Sequence, residues 1–354
     1  MNMIAAAPSA PTDLRVIPLD QASMGRWEAF VDACPDATFF HRAGWKTVIE
    51  NTLGQRCHYL MAEAGGEVRG ILPLTHVRSR LFGDTLISNA FCVYGGPVAV
   101  DDAARQALDD AARSLAASLG VAFLEYRLRQ PWHADRACNA SLYATFRKAI
   151  DPDPDKNLLA VPRKQRAMVR KGMKLGLSSD LDGDIERFFP IYSESVRNLG
   201  TPIKPRRYYA ALADVFGDDC KILTVSHDGR PISSVISFYF RAEVHLYHGG
   251  GHPVAREVAG YDFMYWEVMR RACEDGLRLF DFSRSKQGTG AFAFKQHWGF
   301  SPEPLHHEFV LFKGATVPDT NPLNPKYQRL IALWQRLPVR VANVVGPHLA
   351  RQLG

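Results

Sequence analysis

The sequence predicts a mixed α/β (α+β) fold made of two similar halves, followed by a C-terminal helical tail. Three observations lead to this prediction. The chain has 354 residues, 46% of them hydrophobic and 23% charged, a globular composition that excludes collagen, coiled coil and long disorder as the main architecture. This length suits two domains better than one. The same order of strands, turn, helix and strand occurs twice along the chain.

The first half begins with alternating apolar residues that are typical of a hairpin, with the turn at Gly65-Gly66. A third strand follows, and then a helix whose apolar residues recur every three or four positions. Asp101 or Asp102 is suited to cap the start of this helix, and Gly120 to end it. The predicted elements are the strands His58–Glu63, Val68–Val77 and Thr85–Val93, the helix Ala104–Leu119 and the strand Val121–Leu128.

The second half repeats this order. The turn glycines Gly66 and Gly229 are separated by nearly the same interval as the helix-ending glycines Gly120 and Gly276. This agreement indicates a duplicated α/β unit. The predicted elements are the strands Lys221–Ser226, Ile232–Phe240 and Val244–Tyr247, a helix carrying Tyr261, Met264, Val268 and Ala272 on one face, and the strand Leu277–Phe282.

Positive charge is concentrated in two segments. The chain has 43 Lys+Arg against 37 Asp+Glu, a net charge of +6, yet residues 163–174 and 320–354 contain cations and no acid. The first segment is predicted to be a helix with four cations on one face, called here the basic stripe. It is interpreted either as a surface for tRNA phosphates or as a solvated linker helix, the usual explanation of a charge run. Its members are Arg163, Arg166, Arg170 and Lys174.

The tail also has two interpretations. Its apolar residues recur at helical spacing around Trp334 and are accompanied by five cations. The tail is therefore expected either to lie on an anionic membrane surface or to dock onto the second domain. Prolines at 318, 322 and 325 mark a linker before it. The predicted domains are a leader at 1–12, a first domain at 13–160, a basic linker helix at 161–177, a second domain at 178–316 and the linker with its tail at 317–354.

Several classes of protein are excluded or disfavoured by composition. The six cysteines are scattered without any CxxC pair, so we expect small buried side chains in a reducing compartment and no zinc site. Residues 1–11 lack a basic start and an apolar core, and they are interpreted as a frayed leader. No window is long and apolar enough to span a bilayer. We therefore expect a cytoplasmic protein, with peripheral contact at the inner membrane as an open alternative.

The segment 280–300 is the most specific part of the sequence. It contains Asp281-Phe282 in a strand, a helix ending as Ala272–Gly276 before it, and Phe294–Gly299 after it. This arrangement resembles the second domain of the FemAB-like family, whose members are N-acyltransferases built from two GNAT-type folds. Residues 39–41 with Trp45, and 71–74, look like the first-domain signatures. The tail motifs at 321–326, 336–338 and 346–349 are similar to those of FemAB-like proteins that accompany PEP-CTERM/exosortase and exopolysaccharide systems.

The resemblance implies two tandem GNAT-like domains and transfer of an aminoacyl or acyl group to an amine. Such chemistry needs a deprotonated amine and positive charge at the oxyanion and at any substrate phosphate. Lys295 follows small and aromatic residues, where one cation acts strongly, and the resemblance implies that this lysine supports the transition state; a surface lysine that ends a helix is the alternative. Asp281 is a candidate to orient or deprotonate the amine; an ion pair with Arg284 or Arg278 is the alternative.

Further residues are predicted to bind substrate. Lys204 and Tyr208 lie four positions apart where family members carry a basic residue followed by an aromatic one for a pyrophosphate-linked acceptor. Lysine replaces the usual arginine here, and it lacks the bidentate fork that recognises phosphate. A solvated helix start after Pro205 is the alternative. The remaining predicted substrate-binding residues are Arg207, Tyr247, His248, Arg284 and Lys286.

The acyl donor is left open between aminoacyl-tRNA and acyl-CoA, and no tightly bound cofactor is expected. A GNAT pyrophosphate loop holds phosphates on backbone amides at a helix start. In the second half this slot contains Arg256 and Gly260, the predicted cofactor-binding residues, without a complete motif. No metal is predicted either, because His245 and His248 point to opposite faces of a strand and no carboxylate or cysteine completes a ligand set.

The sequence therefore predicts a FemAB-type N-acyltransferase that acts on an amine of a cell-envelope or exopolysaccharide precursor. Two alternatives remain. One is an acyl-CoA-dependent GNAT acetyltransferase. The other is a non-catalytic scaffold that binds nucleic acid or membrane through its basic segments.

Overall fold

Two mixed β-sheets form the framework of this protein, as the predicted mixed α/β (α+β) class requires. The predicted leader and residues 321–323 of the tail motif lie outside the part of the chain that is described here. The side chain of Lys326 lies outside it as well. The computed structural model describes residues 13–79, 83–312, 314–318 and 324–354.

Runs of strands are separated by helices in both halves of the described chain. The first eight strands are β1 (Arg15–Pro18), β2 (Arg56–Ala64), β3 (Glu67–Val77), β4 (Thr85–Ser88), β5 (Val98–Ala99), β6 (Phe123–Leu128), β7 (Ala137–Asn139) and β8 (Tyr143–Ala149). The other strands are β9 (Ser178–Leu181), β10 (Cys220–His227), β11 (Arg230–Phe240), β12 (Glu243–Gly251), β13 (Leu279–Asp281), β14 (Ser285–Lys286), β15 (Pro302–Pro304) and β16 (His306–Leu311).

The helices fill the connections and form the tail. The first six are α1 (Met24–Ala33), α2 (Gly44–Leu53), α3 (Asp102–Leu119), α4 (Pro154–Ala160), α5 (Arg163–Lys174) and α6 (Ile185–Asn198). The remaining six are α7 (Arg206–Phe216), α8 (Val254–Glu257), α9 (Gly260–Glu274), α10 (Gly290–His297), α11 (Pro325–Gln335) and α12 (Val339–Ala350).

The duplicated unit is present in the structure. Each half has a three-stranded antiparallel meander, β2–β3–β4 or β10–β11–β12, then a helix, α3 or α9, and then a strand that pairs in parallel with the last strand of the meander. The cap predicted for α3 is confirmed, since the Asp101 carboxylate accepts from the Ala104 amide at 2.8 Å and Gly120 ends the helix at φ +66°. A helix crossover is what a parallel strand pair requires.

The sheets differ from the predicted division of the chain at one point in each half. The first sheet runs β1–β2–β3–β4–β6–β16–β7, and the second runs β9–β10–β11–β12–β13–β8–β14. Strand β8 lies within the range predicted for the first domain, yet it pairs with β13 of the second sheet. Strand β16 lies within the range predicted for the second domain, yet it pairs with β6 of the first. Alternation of residues predicts a strand but does not identify its partner.

Some element ends also differ from the prediction. Strand β4 ends at Ser88 rather than Val93, because the chain turns at Asn89 and Phe91, which have φ values of +52° and +69°. Strand β12 continues beyond Tyr247 to Gly251, paired with β11. The six cysteines are free, and five are buried as expected. Cys138 on β7 is exposed, in contrast to the expectation of buried cysteines.

A shared aromatic core joins the two halves. Phe39 stacks on Phe238 with ring centroids 4.2 Å apart, and Trp45 contacts Phe216 at 5.1 Å. The first pair joins the segment before α2 to β11, and the second joins α2 to α7. The residues that look like first-domain signatures in the sequence thus form the joint between the halves.

The tail docks onto both halves. In α12, Asn343 donates to the Ser193 hydroxyl of α6 at 3.3 Å. Beyond α12, the Arg351 carbonyl accepts from the Gln55 side chain of the first half at 2.7 Å. Among the described residues, no helix is both long and apolar enough to cross a membrane.

Candidate functional site

Five predicted substrate-binding residues meet where β12, the loop after β13 and the segment entering α7 come together. They are called here the interdomain basic site. Each has a half-buried or buried side chain, and Lys204, His248 and Arg284 are all half-buried, so the site is reachable from solvent. The five residues are Lys204, Tyr208, Tyr247, His248 and Arg284.

Two tyrosines build one wall of this site. The Tyr247 hydroxyl donates to the Phe91 carbonyl of the first half at 2.5 Å. Because its proton is used there, the Tyr208 hydroxyl is the donor in the 2.7 Å bond between the two phenols. Burial raises the pKa of both tyrosines well above 10, so both stay neutral. The Lys204 ammonium lies 5.0 Å from the Tyr208 ring centroid, within range of a cation–π contact.

His248 is held as a neutral imidazole. Its Nδ1 lies 2.8 Å from the Tyr192 hydroxyl of α6, while Nε2 is buried without a hydrogen-bond partner among the described residues. Burial, reinforced by the positive charges of Lys204 and Arg284, lowers the pKa of His248 well below 6.5. The imidazole therefore offers a hydrogen bond to a substrate and carries no charge of its own.

Lys204 and Arg284 form a pair of cations without a counter-ion. Among the described residues no carboxylate pairs with either side chain, and the Arg284 Nη1 is buried without a hydrogen-bond partner. The Arg284 guanidinium lies 4.8 Å from the Tyr143 ring centroid. Burial, and then the charge of Arg284, lowers the pKa of Lys204 to about 8. Buried cations are ordinarily paired, so this arrangement is suited to a bound anion.

Arg284 provides the guanidinium group that is missing at position 204. The predicted weakness was a lysine where a guanidinium fork is usual. The charge of Arg284 is close enough to act on both Lys204 and His248. A planar guanidinium and a point charge therefore face the same region from different elements, a combination that can recognise a phosphate.

Lys295, predicted to support the transition state, lies behind the loop that carries Arg284. Its ammonium donates to the carbonyls of Ser283 at 2.9 Å and Arg284 at 3.1 Å. It is buried beside the Phe146 and Phe282 rings, and burial lowers its pKa to about 7. Ser283 has a φ of +66°, a strained value for a residue with a side chain. Lys295 therefore fixes an irregular turn that positions Arg284.

Asp281 does not have the surroundings of a general base, which corrects the predicted role. It is fully buried, and its carboxylate accepts from the Tyr94 hydroxyl and from the Ser283 amide, each at 2.7 Å. His245 at 3.1 Å and Arg147 at 3.2 Å flank it. Burial alone would raise the pKa of Asp281, but its contacts with His245, Tyr94 and Arg147 outweigh burial and hold this pKa well below 3.8. The predicted alternative, an ion pair, agrees better with the structure, although the arginine partner is Arg147 and not Arg284 or Arg278.

Two other predicted substrate-binding residues differ in position. Arg207 points away from the site, because its Nε and Nη2 both donate to the Thr52 carbonyl of α2 at 3.1 and 2.9 Å. Lys286 lies near the site, with its ammonium 5.4 Å from the Tyr143 ring that also contacts Arg284. Arg207 therefore lies outside the interdomain basic site, and Lys286 lies at its edge.

The predicted pyrophosphate slot in the second half is filled by protein. Gly260 is buried at the start of α9, and a side chain there would meet Ile232 at 2.9 Å and Ala255 at 3.2 Å. Arg256 is exposed on the short helix α8. These two residues, predicted to bind cofactor, do not form an open phosphate loop. The close packing at Gly260 and the helix α8 within the predicted slot argue against a loop of that kind here.

The histidines on β12 and just after it have separate partners. His245 faces Asp281, His248 faces Tyr192, and the His252 ring bonds to the Glu194 carboxylate. In the described segments, no group of three or more His, Cys, Asp and Glu side chains could hold a metal ion.

The basic stripe lies on α5, which is a helix as predicted. Arg163, Arg170 and Lys174 are exposed, and none has a carboxylate partner in the described part of the chain. Arg166 is half-buried, and its Nη1 donates to the Leu159 carbonyl at 2.8 Å. Three of the four cations are therefore free to contact an external anion.

Sequence reasoning missed several residues around the site. Tyr94 comes just after the predicted strand Thr85–Val93, and its hydroxyl bonds to Asp281 and Thr145 of the second sheet. The Tyr143 ring lies within cation–π range of both Arg284 and Lys286. Tyr192 orients His248. No spacing rule connects these tyrosines to the site, because each comes from an element distant in the chain.

The comparisons with known proteins agree with this architecture. Residues 163–296 match a family described as an acetyltransferase (GNAT) domain. The fold is similar to that of FemX, with a TM-score of 0.63 and 14% identity over 91% of this chain and 100% of that one. No protein of curated function matches the sequence.

Two more structures share the fold. One is the C-terminal domain of a protein from Agrobacterium fabrum named as a lysylphosphatidylglycerol synthetase, with a TM-score of 0.56 and 12% identity over 81% of this chain and 91% of that one. The other is a tandem GNAT protein from the clavulanic acid biosynthesis pathway, with a TM-score of 0.51 and 15% identity over 87% of this chain and 100% of that one. The chain thus has the fold of tandem GNAT proteins.

Proposed function

We propose that this protein is a tandem GNAT-type N-acyltransferase that transfers an aminoacyl or acyl group to an amine of an acceptor bearing a phosphate or similar anion. The fold it shares with FemX and with the lysylphosphatidylglycerol synthetase domain is consistent with aminoacyl transfer. The resemblance to FemAB-like proteins of PEP-CTERM and exopolysaccharide systems supports a cell-envelope or polysaccharide precursor as the acceptor. The donor is aminoacyl-tRNA or acyl-CoA.

One observation carries the proposal: Lys204 and Arg284 act on the same half-buried region without any carboxylate partner in the described chain. An anionic group of the acceptor supplies the missing negative charge. The neutral His248 and the Tyr208–Tyr247 pair then offer hydrogen bonds that orient the acceptor. A surface that only bound nucleic acid or lipid would not need two cations enclosed together in a half-buried site.

The reaction follows from this arrangement. The acceptor amine attacks the acyl carbonyl carbon, a C–N bond forms, and the C–O bond of an aminoacyl ester or the C–S bond of a thioester breaks. The proton lost by the amine leaves with the departing group. The two cations disfavour a third positive charge nearby, so they lower the pKa of the amine and favour its nucleophilic form. Lys295 holds the turn that carries Arg284, and its protonated form adds positive charge there.

A transfer assay with the full chain tests the proposal. Labelled acyl-CoAs and charged tRNAs are offered with amino-sugar acceptors that either carry or lack a phosphate. We expect transfer with phosphate-bearing acceptors, and Arg284→Gln is expected to raise their KM by about ten- to hundredfold, since a charge-assisted hydrogen bond is worth about 1.5–3 kcal/mol. Arg278→Gln, an exposed arginine outside the site, is the matched control.

The outcomes are distinct. No transfer from any donor to any acceptor would contradict the enzymatic proposal and leave a scaffold that binds nucleic acid or membrane. If transfer occurs with the same KM for both kinds of acceptor and Arg284→Gln does not change it, the protein is an acyltransferase but the proposed anion site is wrong.

An acyl-CoA-dependent acetyltransferase is the second candidate, favoured by the match of residues 163–296 to an acetyltransferase domain. The packing of Gly260 against Ile232 and Ala255 argues against the usual phosphate loop in this half. In the same assay, transfer from acetyl-CoA and not from charged tRNA would favour this candidate.

A further inference from the structure

The tail helices expose several of their large apolar side chains. In α12 the side facing the protein is made of small residues spaced four apart, Ala342, Gly346 and Ala350, which are buried. Gly346 fits so closely that a side chain there would come within 3.0 Å of the Ile203 amide nitrogen. Three valines of α12 do not pack on this side and remain exposed. They are Val341, Val344 and Val345.

Helix α11 likewise has one side against the protein and an apolar side that is exposed. Ile331 lies against Gly200, and the Gln335 side chain donates to the Asn198 carbonyl at 3.0 Å, so this side of the helix faces the protein. Leu330 and Leu333 lie on the other side and are 64% and 63% exposed. Because these leucines are one turn apart, they form a continuous apolar stripe.

Arginines flank these apolar residues, and acids are absent from the sequence there. Residues 320–354 contain five cations and no Asp or Glu. The tail surface is defined here by Leu330, Leu333, Val341, Val344 and Val345 together with the exposed Arg329, Arg336 and Arg340.

We infer that the tail surface binds an anionic phospholipid membrane, with both helices lying in the interface. Exposed apolar side chains beside cations are the composition of helices that bind at the interface of anionic lipid. The helices, of 11 and 12 residues, are too short to span a bilayer, so the protein is held at the surface.

A second copy of the chain is the less suitable occupant. In a two-fold dimer the same patch meets itself, which brings the arginines of one copy against those of the other. With no acid in this segment, that contact has no compensating charge. An anionic bilayer offers both an apolar interior for the exposed leucines and valines and negative charge for the arginines.

Sedimentation with vesicles tests the inference without any measurement of catalysis, so its result is independent of the proposed function. The full chain is mixed with phosphatidylcholine vesicles and with vesicles that also contain phosphatidylglycerol. We expect binding to the anionic vesicles, weakened by salt. The triple variant R329Q/R336Q/R340Q is expected to lose at least about tenfold in binding, because each cation near an anionic surface contributes appreciably.

The variant L330S/L333S/V344S is expected to lose binding as well, since all three side chains are exposed and their loss leaves the fold intact. Leu159→Ser is the matched control, because Leu159 is 62% exposed on α4. Binding that persists in both tail variants, or that is lost only when Arg163, Arg170 and Lys174 become glutamines, would overturn the inference. A sedimentation coefficient showing a dimer that the tail variants convert to a monomer would instead assign the surface to a second copy.

Discussion

Lys204 is half-buried, and its surroundings shift the pKa of its ammonium towards neutral pH. Burial and the Arg284 charge lower its pKa to about 8. The neighbouring groups do not titrate near that value, because the pKa of His248 lies well below 6.5 and those of Tyr208 and Tyr247 lie well above 10. A change in acceptor binding near pH 8 can therefore be assigned to Lys204.

We predict that affinity for a phosphate-bearing acceptor falls as the pH rises through about 8. The protonated lysine binds the anion and the neutral amine does not, so the dissociation constant rises about tenfold per unit above this pKa. Dissociation constants measured between about pH 6.5 and 9.5 test this. Lys204→Arg is expected to abolish the inflection while keeping affinity, since arginine stays charged. An unchanged inflection in that variant would assign it elsewhere, with Lys295 and its pKa of about 7 as the next group.

Asp281 illustrates a carboxylate whose role is structural. Its partners Tyr94, Arg147 and His245 come from both halves of the chain. The sequence identified a carboxylate in mid-strand but not these partners, because strand register and sheet order bring them together. A candidate catalytic acid can therefore be recognised from sequence, whereas its burial and its pKa depend on contacts distant in the chain.

We predict that Asp281→Asn destabilises the fold by about 3–5 kcal/mol at neutral pH, because it removes the buried carboxylate that Arg147, His245 and Tyr94 share. The pKa of Asp281 is held below 3.8 in the folded protein. Its stabilising contribution is therefore present above the unfolded pKa and lost as the pH falls below about 4. Urea unfolding at neutral and acidic pH measures this, and the difference from wild type is expected to shrink in acid.

Asp275→Asn is the control for this prediction, since Asp275 forms an exposed pair with Lys221 at 3.1 Å. Exposed pairs contribute about 0–1 kcal/mol. An equally small effect at Asp281 would show that the buried network does not stabilise the fold.

At the scale of elements, turn and cap residues were the reliable signals. Gly120 and Gly276 end α3 and α9 with φ values of +66° and +81°, which glycine adopts readily. The spacing of these glycines therefore revealed the duplicated unit correctly. The exchanged strands β8 and β16 could not be found in this way, because their sequences specify extended backbone and two faces but not a partner strand.

The basic stripe on α5 yields a prediction that belongs to this scale. If tRNA is the donor, changing Arg163, Arg170 and Lys174 to glutamine is expected to weaken tRNA binding and to flatten its salt dependence by about two to three units of slope. Arg166 is left unchanged, because its bond to the Leu159 carbonyl supports the start of the helix. Filter binding at several salt concentrations measures the slope.

Lys156→Gln on the neighbouring helix α4 serves as the control, since this exposed lysine pairs with Asp151 at 3.5 Å. An unchanged slope in the triple variant would assign the stripe to a solvated linker helix.

At the scale of the whole molecule, the two halves are one folding unit. Aromatic contacts such as Phe39–Phe238 and Phe40–Tyr247 join α2 and its approach to the second sheet. Each such pair contributes about 0.5–1.5 kcal/mol beyond its burial. The hydrogen bonds from Tyr94 and Tyr247 cross the same boundary. The interdomain basic site is therefore held by contacts that neither half has alone.

The strand exchange leads to a prediction about fragments. A fragment of residues 1–160 lacks β16, which lies between β6 and β7 in the first sheet, and leaves β8 without its partner β13. A fragment of residues 161–354 lacks β8, which lies between β13 and β14 in the second sheet. Each would expose an unpaired sheet edge, which favours aggregation. We predict that neither fragment alone unfolds cooperatively.

Coexpression of the two fragments is expected to restore a complex, because each supplies the strand that the other lacks. Circular dichroism during thermal unfolding and size-exclusion chromatography of each fragment, of the pair and of the intact chain measure this. The intact chain is expected to show one transition, and the pair a single peak containing both fragments. A fragment of residues 1–160 that folds alone as a monomer with a cooperative transition would contradict the prediction, since β16 would then be dispensable to the first sheet.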